Sequence, residues 1–177
     1  MLFRSQAAVE RLFLAGHRKI GMIAGPEHVF TARERYLGYE EAFKKAGIEV
    51  QDSLVVHGDY TIAGGARAMK ELAKQNPQMT AVFVSNYEMT VGAMIESNEI
   101  GIRIPEDLSV IGFDNIEFAK ASNPKLSIVT QPTKEIGRNV AELILDRLDN
   151  PTREMPPKEM KLKTSFVEGK SVHILSV

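Results

Sequence analysis

Short apolar runs alternate with amphipathic helical patterns along most of this chain, and no two runs are joined by a hairpin signal. The run at 108–113 is typical, because it is rich in β-branched and aromatic residues and ends at Asp114, as a buried strand does. Strands separated by helices pair in parallel, and helices then cover both faces of the sheet. The sequence therefore predicts an α/β fold with a doubly wound parallel sheet. Its predicted strands are 20–24, 53–57, 80–85, 108–113 and 126–130.

Helices are predicted around these strands, where apolar residues recur every three or four positions. Gly16 and Gly47 are placed to end the first two helices, and Thr61 and Asn86 are placed to cap the next two. Near the carboxyl terminus, the stretch 158–166 alternates apolar residues with lysines, which predicts an edge strand with one solvated face. The predicted helices are 5–15, 31–46, 62–72, one that follows Asn86, and 133–149.

The composition is that of an ordinary globular protein, with 44% hydrophobic and 25% charged residues. The formal net charge of −1 is unlike the basic surface of a nucleic-acid-binding domain. No run of 18 apolar residues occurs, so no membrane span is predicted, and the absence of cysteine excludes a disulfide framework. We therefore expect a cytoplasmic protein that does not contact a membrane.

Polar and aromatic side chains follow each predicted strand, where a parallel sheet places its ligands. An arginine fork, a carboxylate and two carboxamides suit hydroxyl, phosphate or carboxylate groups, and an aromatic face suits a sugar or a base. The chain therefore predicts a site for a small polar ligand. Its candidate residues are Thr31 and Arg35 after the first strand, Tyr60 after the second, Asn86 after the third, Asp114 after the fourth and Gln131 after the fifth.

The two arginines of the second predicted helix have two interpretations. A cation near the start of a helix opposes the helix dipole, so Arg35 is expected to have an acidic or hydroxyl-rich partner such as Asp114. In a purely structural role, Arg33 and Arg35 would instead pair with Glu27 or Glu34 on a solvated face.

Structural roles are also open for the remaining candidates. Asp114 and Asn86 could each serve only as a helix cap. Tyr60 could be an ordinary, partly buried aromatic residue, and Gln131 could satisfy the backbone groups of its loop.

The motifs of catalysis are missing from the sequence. The four histidines have no metal-ligand spacing, and no nucleophile elbow, phosphate-binding loop or dinucleotide glycine pattern occurs. Gly64-Gly65 lies within a helical pattern and is expected to allow close packing instead. We therefore predict a protein that is not an enzyme and that needs no metal and no cofactor.

Six phrases of the sequence, in their order and spacing, resemble the effector-binding domain of the lactose/galactose repressor (LacI/GalR) family. The fold of that domain is like that of periplasmic sugar-binding proteins, and the resemblance covers residues 5–167. The phrases are GHRKIGMIAGP, ARERYLGYEEAFKKAGI, GDYTIAGGARAM, TAVFVSNYEMTVGAM, GIRIPEDLSVIGFDN and LSIVTQPTKEIGRNVAELILDRL.

The resemblance gives each candidate residue an implied role in binding an effector. Arg35 matches the effector-anchoring arginine of the family, and Asp114 matches its effector-contacting aspartate. Tyr60 stands at the aromatic wall position, Asn86 at a polar contact, Thr31 at a minor contact and Gln131 at the crossover between lobes. Tyr87 is a departure, because the family usually has an aspartate there, and it bears on the hydrogen bonding beside Asn86 and on the identity of the effector.

The resemblance also implies how the chain is organised. Residues 1–16 and 126–150 would be a remnant of the amino-terminal effector lobe, and residues 17–125 and 151–177 would form the carboxy-terminal lobe. The family's helix-turn-helix DNA-binding domain would be absent. The apolar faces of the 5–15 and 133–149 helices would then lack a sheet and pack on each other or on a second copy.

The implied function is that of an effector-sensing domain of a transcription regulator, expected to be a repressor, that binds a sugar-like small molecule between two lobes. Operator DNA would be contacted only through the missing domain, and the protein would form a homodimer. The alternative is a sugar-binding protein of a transport system. A helix-turn-helix coding region upstream would support the regulator, and a secretion signal would support the alternative.

The charge of the chain leads to a first testable prediction. With a net charge of −1 and no recognition helix, this chain should not bind operator DNA specifically. A gel mobility-shift assay with competitor duplex measures this. A salt-dependent shift that one sequence competes for and a random duplex does not would contradict the prediction.

Overall fold

The computed structural model describes residues 2–150, 156 and 159–175. It divides into two compact units. The first comprises Met1–Thr130 with Phe166–Val177, and the second comprises Gln131–Ser165.

The strands in the described residues form a single sheet. They are β1 (Ile20–Ala24), β2 (Val55–His57), β3 (Ala81–Val84), β4 (Ser109–Phe113), β5 (Ser127–Thr130) and β6 (Ser165–Val167). Their order is β2-β1-β3-β4-β5-β6, and the pairings that join β2 to β5 are all parallel. The predicted parallel sheet is therefore confirmed, as are its five predicted strands. The second is shorter than predicted, because Asp52–Leu54 forms a turn of 3-10 helix.

The five predicted helices are present, and one short helix was not predicted. The helices are α1 (Leu2–Leu14), α2 (Phe30–Ala46), α3 (Ile62–Gln75), α4 (Tyr87–Glu99), α5 (Ile116–Ala121) and α6 (Thr133–Asp149). Gly47 ends α2 as expected, in the left-handed conformation that lets its N–H bond the carbonyl of Lys44. Thr61 and Asn86 cap α3 and α4 with their side chains, so both predicted caps are confirmed.

The core of the first unit lies on both faces of the sheet. Helices α1 and α2 cover one face, where Tyr39, Phe43 and Phe83 are fully buried. Helices α3, α4 and α5 cover the other face, where Met69 and Met89 are fully buried. Strands β1, β3, β4 and β5 are buried at every position, as expected for parallel strands between two helical layers.

Glycines allow α3 and α4 to pack closely. A Cβ on Gly92 would collide with the carbonyl of Ile62, and a Cβ on Gly65 would collide with the backbone of Met89. The expectation that Gly64-Gly65 permits close packing is therefore confirmed for Gly65.

The environment of α1 differs from the expectation. Ala8, Val9 and Leu12 are fully buried in one cluster with residues of α2, β1, β3 and β5. The prediction that this apolar face lacks a sheet and needs the 133–149 helix or a second copy is therefore wrong. The amphipathic pattern indicated that the face would be buried, but it did not identify what would cover it.

The compact units also differ from the predicted boundaries. Residues 1–16 and 126–130 belong with the sheet in the first unit, whereas 131–165 forms the second. The cause is the burial of α1 and β5 in the core of the first unit. The assignment of segments to the lobes of a larger effector domain stays a prediction.

The predicted edge strand at 158–166 is wrong over most of its length. Position 158 lies outside the described residues, and residues 159–164 form no strand; only Ser165–Val167 does. Alternation determines which face a side chain takes, but it supplies no partner strand. The boundary between the two units falls within this strand, with Ser165 in the second unit and Phe166 and Val167 in the first.

The second unit contains α6, an amphipathic helix with no buried residue. Its apolar side chains are largely exposed, with Ile144 at 53% and Leu148 at 69%. Among the described residues, no helix is both long enough and apolar enough to span a bilayer.

His17 joins its own segment of the first unit to the segments that contain Thr80 and His173. Its Nδ1 lies 3.0 Å from the hydroxyl of Thr80, and its Nε2 lies 3.0 Å from the carbonyl of His173. A carbonyl only accepts, so Nε2 carries a hydrogen, and in the neutral ring Nδ1 accepts from the hydroxyl of Thr80. Burial is the main cause that lowers the pKa of His17.

This arrangement predicts a loss of stability in mild acid. Because the folded-state pKa lies below the unfolded value, the contribution of neutral His17 is complete above about pH 6.5. It is lost as the pH falls from there through the lower folded-state pKa. Urea unfolding between pH 7.5 and 5 should show a steeper decline in the wild type than in His17→Gln. The control is His28→Gln, which alters an exposed histidine. Equal slopes for the wild type and His17→Gln would contradict the prediction.

Candidate functional site

The carboxyl ends of β1 to β5 lie on one edge of the sheet, because the strands are parallel. The first unit places five of the six candidate residues on the segments that leave this edge, which we call the carboxyl edge. Gln131 follows β5 directly and is the first residue of the second unit. The residues on the carboxyl edge are Thr31 and Arg35 in α2, Tyr60 after β2, Asn86 before α4 and Asp114 after β4.

Arg35 is the most firmly held of these side chains. It is only 9% exposed, its Nη1 donates to the carbonyl of Ser85 at 2.5 Å, and its Cζ lies 4.1 Å from the ring centroid of Phe113. The arginine therefore spans the ends of β3 and β4, and the interpretation that places it on a solvated face is wrong. Thr31 precedes it by one helical turn and is half-buried.

Arg33 occupies the exposed side of the same helix. Its Nη1 makes long contacts of 3.5 and 3.4 Å with the carbonyls of Glu27 and His28. The interpretation that places an arginine on a solvated face therefore holds for Arg33, although Arg33 contacts backbone carbonyls and not the expected carboxylates. A cation–π contact and a short hydrogen bond hold Arg35 in one position, whereas nothing comparable holds Arg33.

Asp114 begins a tight left-handed turn. Asp114 and Asn115 have φ values of 58° and 55°, and the N–H of Asp114 donates to the carbonyl of Val129 at 2.7 Å. The side chain of Asn115 accepts from the N–H of Phe118 at 2.9 Å and caps α5. Asn115, rather than Asp114, is therefore the helix cap. Asp114 is half-buried at the end of β4.

Asn86 fixes the start of α4. Its Oδ1 accepts from the N–H of Met89 at 3.1 Å, and its carbonyl accepts from the hydroxyl of Thr90 at 2.7 Å. The capping role is therefore confirmed for Asn86. A further role in ligand binding would use the amide nitrogen, and it stays a prediction.

Tyr87 packs against an aromatic partner that the sequence did not indicate. Its ring meets the ring of Phe118 edge-to-face, with the centroids 5.7 Å apart. Both rings lie in the first turns of helices that leave the carboxyl edge, and both are half-buried. An aromatic pair therefore stands beside Asn86.

Tyr60 lies in a loop that is fixed by Asp59. The Oδ1 of Asp59 accepts from the N–H and the hydroxyl of Thr61, at 3.0 and 2.6 Å. Its Oδ2 accepts from Arg67 at 2.8 Å. These hydrogen bonds, first that of the Thr61 hydroxyl and then that of Arg67, lower the pKa of Asp59 to about 2. The carboxylate is therefore ionised at any physiological pH.

Three further residues contribute to the carboxyl edge and were missed from the sequence. The guanidinium of Arg35 lies over the ring of Phe113. The backbone carbonyl of the buried Ser85 accepts a hydrogen bond from Arg35, and the hydroxyl of Ser85 donates to the carbonyl of Ile23. His57 bonds the carbonyl of Gly25 through Nδ1 at 2.9 Å. All three end or follow strands, so the rule that selected Asp114 could have selected them too. Within the described residues, no cluster of three His, Asp or Glu side chains is arranged to hold a metal ion.

The cap at Asn86 generates a stability prediction. Asn86→Ala should destabilise the fold by about 0.5–2 kcal/mol, because the N–H of Met89 loses its acceptor, whereas Asn86→Ser should keep most of the stability. Asn98→Ala, at an exposed position of the same helix, is the control. Chemical denaturation measures the free energies of unfolding. A loss in Asn86→Ala no greater than in Asn98→Ala would refute the capping role.

Known proteins resemble this chain over almost its whole length. The sequence profile of the periplasmic binding protein-like domain matches residues 9–172. The HTH-type transcriptional regulator CelR of Thermobifida fusca is 38% identical over 164 residues, which are 93% of this chain and 48% of that protein. The HTH-type transcriptional repressor CytR of Escherichia coli K12 is 40% identical over 141 residues, or 80% of this chain and 41% of that protein.

Solved structures agree with these matches. A complex of the transcriptional regulator CelR with cellobiose superposes with a TM-score of 0.90 at 36% identity, covering 96% of this chain and 51% of that one. A LacI-family regulator from Enterococcus faecium with bound ribose superposes with a TM-score of 0.87 at 30% identity, covering 99% and 64%. The chain spans about half the length of the curated relatives it matches. It belongs to the periplasmic binding protein-like domain family, and within that family it matches the effector-binding domain of LacI-family transcription regulators.

Proposed function

We propose that this chain is the effector-sensing part of a transcription regulator, a repressor that binds a sugar-like small molecule at the carboxyl edge. The observation that carries the proposal is Arg35, a buried cation held between Ser85 and Phe113 at the end of the sheet. Burying an arginine in this way is costly for stability alone, and such groups concentrate at binding sites. The sugars bound in the two related structures support the ligand class.

The donors and acceptors of the carboxyl edge complement hydroxyl groups. Arginine only donates, an ionised carboxylate only accepts, and a carboxamide does both, while each sugar hydroxyl can donate and accept. Arg35 and Asp114 would bind the ring hydroxyls, with Asn86 and Thr31 as further polar contacts. An aromatic ring such as Tyr60 would cover an apolar face of the sugar.

Regulation would follow from a difference in affinity between two conformations. An effector shifts the equilibrium only by as much as it prefers one conformation over the other. Operator DNA would be contacted through a helix-turn-helix domain of the longer protein, which acts in the cytoplasm. The curated relatives are named as transcriptional regulators, and this favours a regulator over a transport protein or an enzyme.

A homodimer would use the exposed side of the α3–α4 pair. Ile62 on α3 is 45% exposed and Ile95 on α4 is 49% exposed, and α4 also carries the half-buried Val91 and Met94. Apolar groups of this kind on neighbouring helices suit a self-complementary surface.

The anchoring role of Arg35 is tested by its removal. Arg35→Ala should weaken binding of the effector by about 1.5–3 kcal/mol, the range for hydrogen bonds to charged groups. The substitution should also lower the free energy of unfolding, because the carbonyl of Ser85 loses its hydrogen-bond donor and the ring of Phe113 loses its cation–π contact. Calorimetry with a panel of mono- and disaccharides that includes cellobiose and ribose measures the affinity. Binding must be measured at a temperature at which both proteins are folded.

Arg33→Ala is the matched control, since it removes an exposed arginine from the same helix. It should leave both affinity and stability close to those of the wild type. An Arg35→Ala variant that is folded and binds the sugar as tightly as Arg33→Ala does would remove Arg35 from the site.

A further inference from the structure

An exposed apolar patch lies at the amino ends of the strands, away from the carboxyl edge. Leu14, the last residue of α1, is 86% exposed and Ile174 is 74% exposed, which makes them the most exposed large apolar residues in the described part of the chain. Both line a cleft together with Ser127, the first residue of β5. Single exposed apolar residues are common, but two beside an open cleft indicate a contact surface.

Hydrogen bonds hold Ile174 beside the end of α1. The N–H of Leu175 donates to the carbonyl of Ala15 at 2.9 Å, and the carbonyl of His173 accepts from Nε2 of His17 at 3.0 Å. The backbone is therefore anchored on both sides of Ile174. An apolar side chain that stays in water while its backbone is fixed is already placed for a partner, and little conformational entropy is lost when it binds.

The cleft beside these two residues is apolar and unfilled. Its volume is about 250 Å³, and its lining includes Ile111 of β4, which is fully buried. The half-buried Phe166 and Val172 also line it. An apolar cavity of about 150 Å³ is large enough to bind benzene, so this cleft has room for a leucine side chain.

The charged residues in the described lining of the cleft are opposite in sign. Arg11 precedes Leu14 by one turn of α1, and its Cζ lies 4.0 Å from the ring centroid of Phe166. Glu168 comes directly after β6, and both charged residues are exposed. A two-fold axis between two such clefts places each arginine near the glutamate of the other copy, which is electrostatic complementarity of a surface with itself.

We propose that this surface, which we call the amino-edge patch, is a contact between two copies of the chain, with Leu14 of each copy inserted in the cleft of the other. The projecting side chain and the cleft belong to one surface, as a two-fold interface requires. Arg11 and Glu168 would pair at its rim. The contact leaves the carboxyl edge open and is separate from the exposed side of the α3–α4 pair, so it would join two homodimers formed there.

Leu14→Lys tests the apolar part of the contact. A lysine is costly to bury in the cleft, whereas at the last residue of α1 it favours the helix dipole, so the fold should be kept. The association constant should fall by about 10- to 100-fold, because each copy withdraws a leucine from an apolar cleft. Sedimentation velocity over a range of concentrations measures it. All proteins compared carry Ile95→Lys, which removes association through the α3–α4 surface.

Leu148→Lys is the matched control. Leu148 is 69% exposed, but it lies on α6 in the second unit. The same substitution there should leave association through the amino-edge patch unchanged. Thermal unfolding of each variant verifies that it is folded at the temperature of the measurement.

Charge reversal at the rim identifies the occupant as a second copy. Arg11→Glu and Glu168→Arg should each weaken association by about 3- to 10-fold, because like charges then meet across the two-fold axis. An equimolar mixture of the two variants should associate as the unreversed protein does at the same total concentration, since opposite charges again face each other at both rim contacts. Added salt should reduce these differences by screening.

The outcomes are independent of the proposed function, because no effector is used. Equal association with and without Leu14→Lys would overturn the inference, as would an equal loss in Leu148→Lys. A mixture of the charge-reversed variants that associates no better than either alone would also overturn it. If the Ile95→Lys protein is monomeric at every concentration, the amino-edge patch is not a contact between copies, and its occupant is another molecule.

Discussion

The parallel pairing of β1 to β5 is the constraint on which the rest of the structure depends. Parallel strands must be buried on both faces, so each helix returns over the sheet and each strand leaves at the same edge. The close approach of α3 and α4 at Gly65 and Gly92 belongs to this packing. Arg35 comes from a helix on one face and Asn86 from the start of a helix on the other, and both reach the carboxyl edge only because the ladder aligns their elements.

Backbone strain is concentrated at that edge. The non-glycine residues with positive φ in the described part of the chain are Tyr60, Asp114 and Asn115, and all three follow strands there. Asn115 is compensated by capping α5, and Tyr60 is held by the hydrogen bonds of Asp59. A fold that needed only short connections could use glycine at such positions. Keeping side chains there is consistent with a selected binding site.

Much of this arrangement could be predicted from the sequence, because local patterns determine it. Apolar periodicity predicted the strands and most helices, and the side chains of Thr61 and Asn86 predicted two caps. The environment of α1 could not be predicted, because an amphipathic stripe does not identify its partner. Neighbouring residues with similar chemistry are equally ambiguous, which is why Asp114 and Asn115 could not be distinguished as caps. The contact of Arg35 with Phe113 joins segments far apart in the chain, and no local pattern carries it.

The proposed sharing of one ligand by Arg35 and Asp114 favours an uncharged, hydroxyl-rich effector over an anion. A buried guanidinium alone would select phosphate or carboxylate, as arginine clusters do. Here the half-buried carboxylate of Asp114 follows β4, the strand that ends in Phe113, the ring beneath Arg35. An anion that touched both Arg35 and Asp114, as proposed for the effector, would be repelled by that carboxylate. A hydroxyl has no such conflict, since it accepts from the arginine while donating to the aspartate.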